Sequence, residues 1–153
     1  MRDNRFNFFA SFYGTNLKGS NLENTDLRGA NFYGANLTKV NLQGADMRGT
    51  NLSFANLEGS NLNNANLHGS NLENSNLGGA SLFRVTLTKG NLKGADMRGV
   101  NLSFANLSNS NLANADVSNS QLSFSSYIGS NMKGVIFRNA KLLRANLIRA
   151  ELK

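Results

Sequence analysis

Residues 35–49 read ANLTK-VNLQG-ADMRG, three successive blocks of five residues that share one pattern. Each block begins with a small residue, continues with Asn or Asp, and places a large apolar residue third. From Phe12 to Leu152 all 29 positions spaced five apart are large and apolar, and 21 of them are Leu. Helices and strands have apolar periods of about 3.6 and about 2 residues. A period of five therefore predicts a coil that returns one face to a common core every five residues.

These blocks resemble the pentapeptide-repeat family, whose pattern is written A(D/N)LXX. The match runs from Ala10 to Lys153 without a break in register. The resemblance implies an all-β fold, a right-handed quadrilateral parallel β-helix (solenoid) with four pentapeptides per coil and about seven coils of 20 residues. We expect residues 10–153 to form this domain and residues 1–9, with Phe6, Phe8 and Phe9, to form an N-terminal cap or a partner contact.

The composition narrows the classes of function. The chain has no Cys, which excludes disulfides and thiolate metal sites. The N-terminal residues contain no apolar run typical of a signal peptide, and no stretch is long enough to span a membrane, so we expect a cytoplasmic protein. Lys and Arg number 16 against 9 Asp and Glu, and six of these bases lie in residues 133–153 with one acid, Glu151. This skew indicates either an anionic partner or a solubilising end.

A coil of 20 residues would stack side chains that lie 20 apart. One such column contains Arg84, Phe104, Phe124 and Arg144. Two aromatic rings flanked by guanidinium groups would either stack nucleic acid bases and bind phosphate, or pack only on each other and on the arginine stems. Together with Arg138 and Arg149, these residues form the candidate binding surface.

Three aliphatic residues interrupt the polar exterior near the C-terminus. The position after the central residue is usually polar, but it is Ile128, Leu143 and Ile148 in the last coils. We therefore predict association through these residues, as a possible homodimer, and the resemblance adds weight because some family members dimerise through their C-terminal ends. Alternatively, residues 139–153 form a short amphipathic helix that covers the end of the coil.

Nothing in the sequence predicts catalysis, a cofactor or a metal site. His68 is the only histidine, and its expected neighbours in the stacked column are Arg48 and Thr88. The acidic residues at the Asn position lie singly on different coils and are read as substitutes for Asn in the turns; they are Asp26, Asp46, Asp96 and Asp116. Because no three polar groups converge, we expect a protein that is not an enzyme.

A longer duplication lies on top of the short repeat. Residues 39–57 recur at 89–107 with three changes. The offset of 50 residues is two and a half coils, so we expect the two copies on opposite sides of the solenoid.

The sequence favours a non-enzymatic protein-binding or scaffold module whose partner it does not identify. The resemblance implies an alternative, because some family members mimic duplex DNA, bind DNA gyrase and related topoisomerases, and confer quinolone resistance. Mimicry requires acidic faces in place of phosphates, and the net charge of +7 argues against it. A third hypothesis is weak binding of nucleic acid or another anionic surface through the basic C-terminal coils.

Overall fold

The computed structural model describes residues 10–153, so the predicted cap at residues 1–9 lies outside the described residues. Each pentapeptide forms a short extended stretch and a two-residue turn, and residues 10–153 contain no helix. Every β-bridge is parallel and joins a residue to the one 20 positions later, from Ser11–Asn31 to Asn131–Glu151. The fold is the right-handed quadrilateral β-helix that was predicted.

Four sides enclose a continuous apolar core. We number the sides by the first pentapeptides, which are centred on Phe12, Leu17, Leu22 and Leu27, and each side recurs every 20 residues. Every central residue from position 37 to position 122 is at most 1% exposed. The small residue two positions earlier also points inward, and where it is Ser it commonly donates its hydroxyl to a backbone carbonyl. The interior is thus filled by side chains and leaves the outer sides for recognition.

Tight turns join consecutive sides. In each turn the N–H group three residues after the central residue donates to the carbonyl of the central residue, as in Ser75 to Leu72 at 3.1 Å. The second turn residue has positive φ, which Gly adopts without strain, as at Gly79 (φ 65°). Several turns instead carry Asn, Lys, Arg or Phe in this conformation.

Ladders of Asn side chains form hydrogen bonds with backbone N–H groups of the turns and link successive coils. Asn61 accepts the N–H of Asn63 at 3.1 Å and donates to the side-chain oxygen of Asn41 at 3.1 Å. Where Asn is replaced by Ser81, the N–H of Phe83 donates instead to the side-chain oxygen of Asn63, at 3.0 Å. The segment from residue 80 to residue 90 is therefore a change of ladder within an unbroken coil.

The last residues continue the β-helix. Lys141, Asn146 and Glu151 each form a parallel bridge with the preceding coil. The helical alternative for residues 139–153 is therefore not adopted, and the apolar period of five prevails over local helix propensity. Among residues 10–153 we find no helix with the length and hydrophobicity needed to cross a membrane.

Candidate binding surface

The predicted column of aromatic and basic residues forms a stacked ladder along one corner. The rings of Phe104 and Phe124 are parallel within 4° and their centroids are 4.9 Å apart. The Cζ atom of Arg84 lies 5.9 Å from the Phe104 centroid, and that of Arg144 lies 5.8 Å from the Phe124 centroid. Phe83 adds an edge contact to Phe104 at 5.7 Å.

This stacking decides which groups of the ladder are available to a ligand. Each phenyl ring has a neighbouring ring on one face and a guanidinium on the other. Each ring therefore has a neighbour on both sides along the ladder, which disfavours stacking of a nucleic acid base on its faces. The N–H edges of the guanidinium groups and the outer ring edges are the parts that a partner would meet.

The ladder residues occupy strained turn positions. Arg84, Phe104, Phe124 and Arg144 have φ between 56° and 61°. A non-Gly residue in this left-handed region costs roughly 1–2 kcal/mol, and many equivalent turns of this chain use Gly. Mutual stacking compensates part of that cost, at about 0.5–1.5 kcal/mol for an aromatic pair.

The arginines fall into two classes that the sequence analysis did not separate. Arg28 lies two residues after Asp26 and makes a bidentate ion pair with it, with N–O distances of 2.8 and 2.6 Å. Hydrogen bonds from the Arg28 side chain lower the pKa of Asp26 to about 2. Arg48 and Arg98 pair in the same way with the Asp two residues earlier. These three guanidinium groups are therefore neutralised by their own repeats.

The remaining arginines of the described segment have no such partner. Within residues 10–153, no carboxylate lies within 4.0 Å of Arg84, Arg138, Arg144 or Arg149. Each of them is exposed. Their guanidinium groups are free to bind carboxylate or phosphate groups. The distinguishing signal is already present in the sequence, since among the arginines of residues 10–153 only the paired ones follow an Asp by two residues.

Free cations gather on two adjacent sides. We call this surface the basic face: sides three and four of the last four coils, which comprise residues 80–89, 100–109, 120–129 and 140–149. It carries five cations and no acid. The cations are Arg84, Lys89, Lys141, Arg144 and Arg149.

The neighbouring surfaces lack this imbalance. Sides one and two of the same four coils carry four cations and three acids. Sides three and four of the first three coils carry two cations and three acids. Positive charge is therefore concentrated on the basic face, whereas the other two sides of the same coils and the same two sides of the first three coils carry cations and acids in nearly equal number.

The aliphatic residues predicted to mediate association lie on the same face. Ile128, Leu143 and Ile148 are 37%, 66% and 61% exposed, and Phe104 and Phe124 are 50% and 41% exposed. The two candidate sites predicted separately thus form one surface of mixed apolar and basic character.

Two C-terminal bases that seemed part of one cluster in the sequence lie elsewhere. Arg138 follows Phe137 on side two, around a corner from the basic face. Lys133 lies on side one, and its ammonium group is 3.0 Å from a carboxylate oxygen of Glu151. Closeness in sequence therefore does not bring all the C-terminal bases together.

The remaining polar candidates have local roles. The Nδ1 atom of His68 is 2.7 Å from the hydroxyl of Thr88, the neighbour expected from the stacked column. The side chain of Asp116 accepts the N–H of Ser118 at 2.9 Å, as Asn does in other turns. In the part of the chain that the structure describes, no group of three His, Asp or Glu side chains is arranged to hold a metal ion.

Comparisons with known proteins agree with this architecture. The family model for pentapeptide repeats matches residues 10–49, 50–88, 80–119 and 118–153, in eight copies. A search of proteins with curated functions finds no match.

Among solved structures, HetL of Nostoc sp. strain PCC 7120, involved in regulation of heterocyst differentiation, is similar at 24% identity, 92% coverage of this chain, 88% of that chain and a TM-score of 0.38. A pentapeptide repeat protein of the Arabidopsis thaliana thylakoid lumen is similar at 30% identity, with 74% of this chain and 66% of that chain covered and a TM-score of 0.47. A trypsin-treated variant of QnrB1, a plasmid-mediated fluoroquinolone resistance protein, is similar at 16% identity, with 92% of this chain and 90% of that chain covered and a TM-score of 0.47. Because the family model covers residues 10 to 153, the chain belongs to the pentapeptide-repeat family.

Proposed function

We propose that this protein is a non-enzymatic protein-binding module and that the basic face is its binding surface. The observation that supports this is the combination of five cations, no acid and five exposed apolar side chains on two adjacent sides. Protein interfaces are enriched in aromatic residues and Arg, and their binding energy is concentrated at such residues. Since side chains fill the core, the outer sides are where a partner would bind.

The other hypotheses fit this surface less well. A nucleic acid would meet the cations, but its phosphates would leave Ile128, Leu143 and Ile148 without an apolar contact. DNA mimicry of the kind that targets gyrase requires acidic groups in place of phosphates, and the basic face has the opposite charge.

Two phenylalanines provide a matched test of the proposal. Phe54 and Phe104 lie in the identical sequence NLSFANL, at residues 51–57 and 101–107. They are 54% and 50% exposed, with φ of 59° and 60°. Only Phe104 lies on the basic face, because the offset of 50 residues places Phe54 on side one.

A photo-crosslinking amino acid at either position would reveal which side meets a partner. We expect discrete protein adducts in the native cells when the crosslinker replaces Phe104, and none of them when it replaces Phe54. The same adducts at both positions, or adducts at position 54 alone, would refute the assignment of the basic face.

A homodimer through Ile128, Leu143 and Ile148 is a separate prediction. It would bring two basic faces together, and the like charges would oppose it. Light scattering of concentrated protein tests it directly. A dimer that Ile148→Asp dissociates would place a second copy on this face, whereas a monomer would contradict the dimer.

A further inference from the structure

We infer that the partner of the basic face is an extended acidic polypeptide segment. It would place one carboxylate on Arg84, another on Arg144, and an apolar side chain on the Phe104–Phe124 pair between them. This inference rests on the proposed function, because it names the partner of the same surface.

The ladder fixes the distance between the two arginine forks. Arg84 and Arg144 are three coils apart, which corresponds to about 14 Å at the usual strand spacing. The successive centre-to-centre steps along the ladder, 5.9, 4.9 and 5.8 Å, allow at most about 17 Å between the guanidinium groups. Both guanidinium groups are exposed, and within residues 10–153 no carboxylate pairs with them, so their N–H groups can bind a carboxylate in bidentate geometry.

An extended segment running along the rod matches this spacing. Extended chains rise about 3.3 Å per residue and point alternate side chains to the same face. Residues i and i+4 then lie about 13 Å apart, and flexible Glu side chains reach the remaining distance. Residue i+2 faces the rod midway, where the exposed edges of Phe104 and Phe124 lie. The recognised pattern is acidic, any residue, apolar, any residue, acidic.

Charge selects this class of partner over two others. Lys89, Lys141 and Arg149 share the basic face with the ladder, and their charge attracts an acidic segment at long range. A second copy of the chain would bring five more cations to the face. A nucleic acid supplies anions but no apolar side chain comparable to Leu for the middle of the ladder.

Fluorescence anisotropy with labelled nine-residue peptides tests the register. The first peptide has Glu at positions 3 and 7 and Leu at position 5 in a Gly/Ser background. The second has the same composition with the two Glu adjacent, and the third has Lys in place of Glu. We expect the full-length protein to bind the first peptide roughly tenfold more tightly than the second, and to show no binding of the third.

Charge-reversal variants test the two forks. Arg84→Glu/Arg144→Glu should weaken binding of the first peptide at least about tenfold, and Lys39→Glu/Arg138→Glu, with the same net change on side two, should leave it within about twofold. The Arg84→Glu/Arg144→Glu variant should in turn bind the Lys peptide, a gain that a misfolded protein would not show. Circular dichroism melts check that both variants fold.

Several results would overturn the inference. Equal affinity for the first two peptides would remove the predicted register. Tighter binding of a 12-nucleotide single-stranded DNA, lost in the same variant, would make the face a nucleic acid site. If the crosslinker at position 104 traps a protein but no acidic peptide binds, the proposed function stands and the acidic segment fails. If position 104 traps nothing either, both fail.

Discussion

Replacing Tyr127 by Phe is expected to stabilise the protein by about 1–2 kcal/mol, the opposite sign from most substitutions in a protein core. Tyr127 is a central residue of side four and is 0% exposed, and within residues 10–153 its hydroxyl lies near that of Ser125 but forms no hydrogen bond of normal geometry. The hydroxyl of Ser125, close to Tyr127, donates to the carbonyl of Leu122. An unpaired buried hydroxyl costs roughly 1–3 kcal/mol. The cavity left by one oxygen atom offsets less than about 1 kcal/mol of that gain.

Thermal unfolding followed by circular dichroism measures this effect. For a chain of this size, 1 kcal/mol corresponds to roughly 2–4 °C in Tm, so Tyr127→Phe should melt about 2–8 °C higher. Tyr33→Phe is the matched control, because Tyr33 is 36% exposed to solvent. An unchanged or lower Tm for Tyr127→Phe would refute the argument. In that case the hydroxyl is hydrogen-bonded in solution, and Ser125→Ala would show whether Ser125 is the partner.

Three further predictions concern the core, the pH response and the turns. Urea unfolding should show Leu72→Ala destabilised by about 2–5 kcal/mol, and Glu73→Ala, on the adjacent outward position, by less than about 1 kcal/mol; similar losses would contradict the inward and outward assignment. Burial raises the pKa of the Tyr127 phenol, so the unfolded chain ionises this phenol at a lower pH than the folded protein does. The contribution of this group to the free energy of unfolding is therefore complete below about pH 10 and is lost as pH rises further. Alkaline melts of Tyr127→Phe should lack this loss. Gly94→Ala should lower Tm more than Gly49→Ala, because both have positive φ but only at position 94 would the added carbon collide with a side chain of the preceding coil; equal losses would mean that φ alone decides.

The fold was predictable because the five-residue period specifies it redundantly. Each central residue needs only to be large and apolar, and Phe32, Met47 and Val117 fill the same place as Leu with at most 1% exposure. The Asn ladder is not required for register, since Ser81 and Thr86 still form their bridges. Local helix propensity near the C-terminus does not compete, because adopting a helix there would expose the central apolar residues.

The candidate site was predictable only in part. Stacking of residues 20 apart correctly placed Phe104 on Phe124. Tyr13 and Tyr33, also 20 apart, stack in the same way with ring centroids 5.4 Å apart. Counting bases along the chain placed Arg138 with Arg144, although the corner between them separates their sides. It also treated all arginines alike, whereas a carboxylate two residues earlier neutralises Arg98. The first error came from treating neighbours in sequence as neighbours on the surface, and the second from overlooking an Asp two residues before the arginine.

The duplicated segment shows why surface function in this fold is encoded in columns. Residues 51–57 and 101–107 are identical, so Phe54 and Phe104 have the same turn, φ and local core. Phe54 nevertheless contacts Tyr33, whereas Phe104 contacts Phe83, Phe124 and Arg84. These different contacts are made by residues 20 or 21 positions away, in the coil before or after, while the pentapeptide that carries each phenylalanine is the same. A substitution in one coil can therefore create or remove a binding surface while the core pattern, and with it the fold, stays the same.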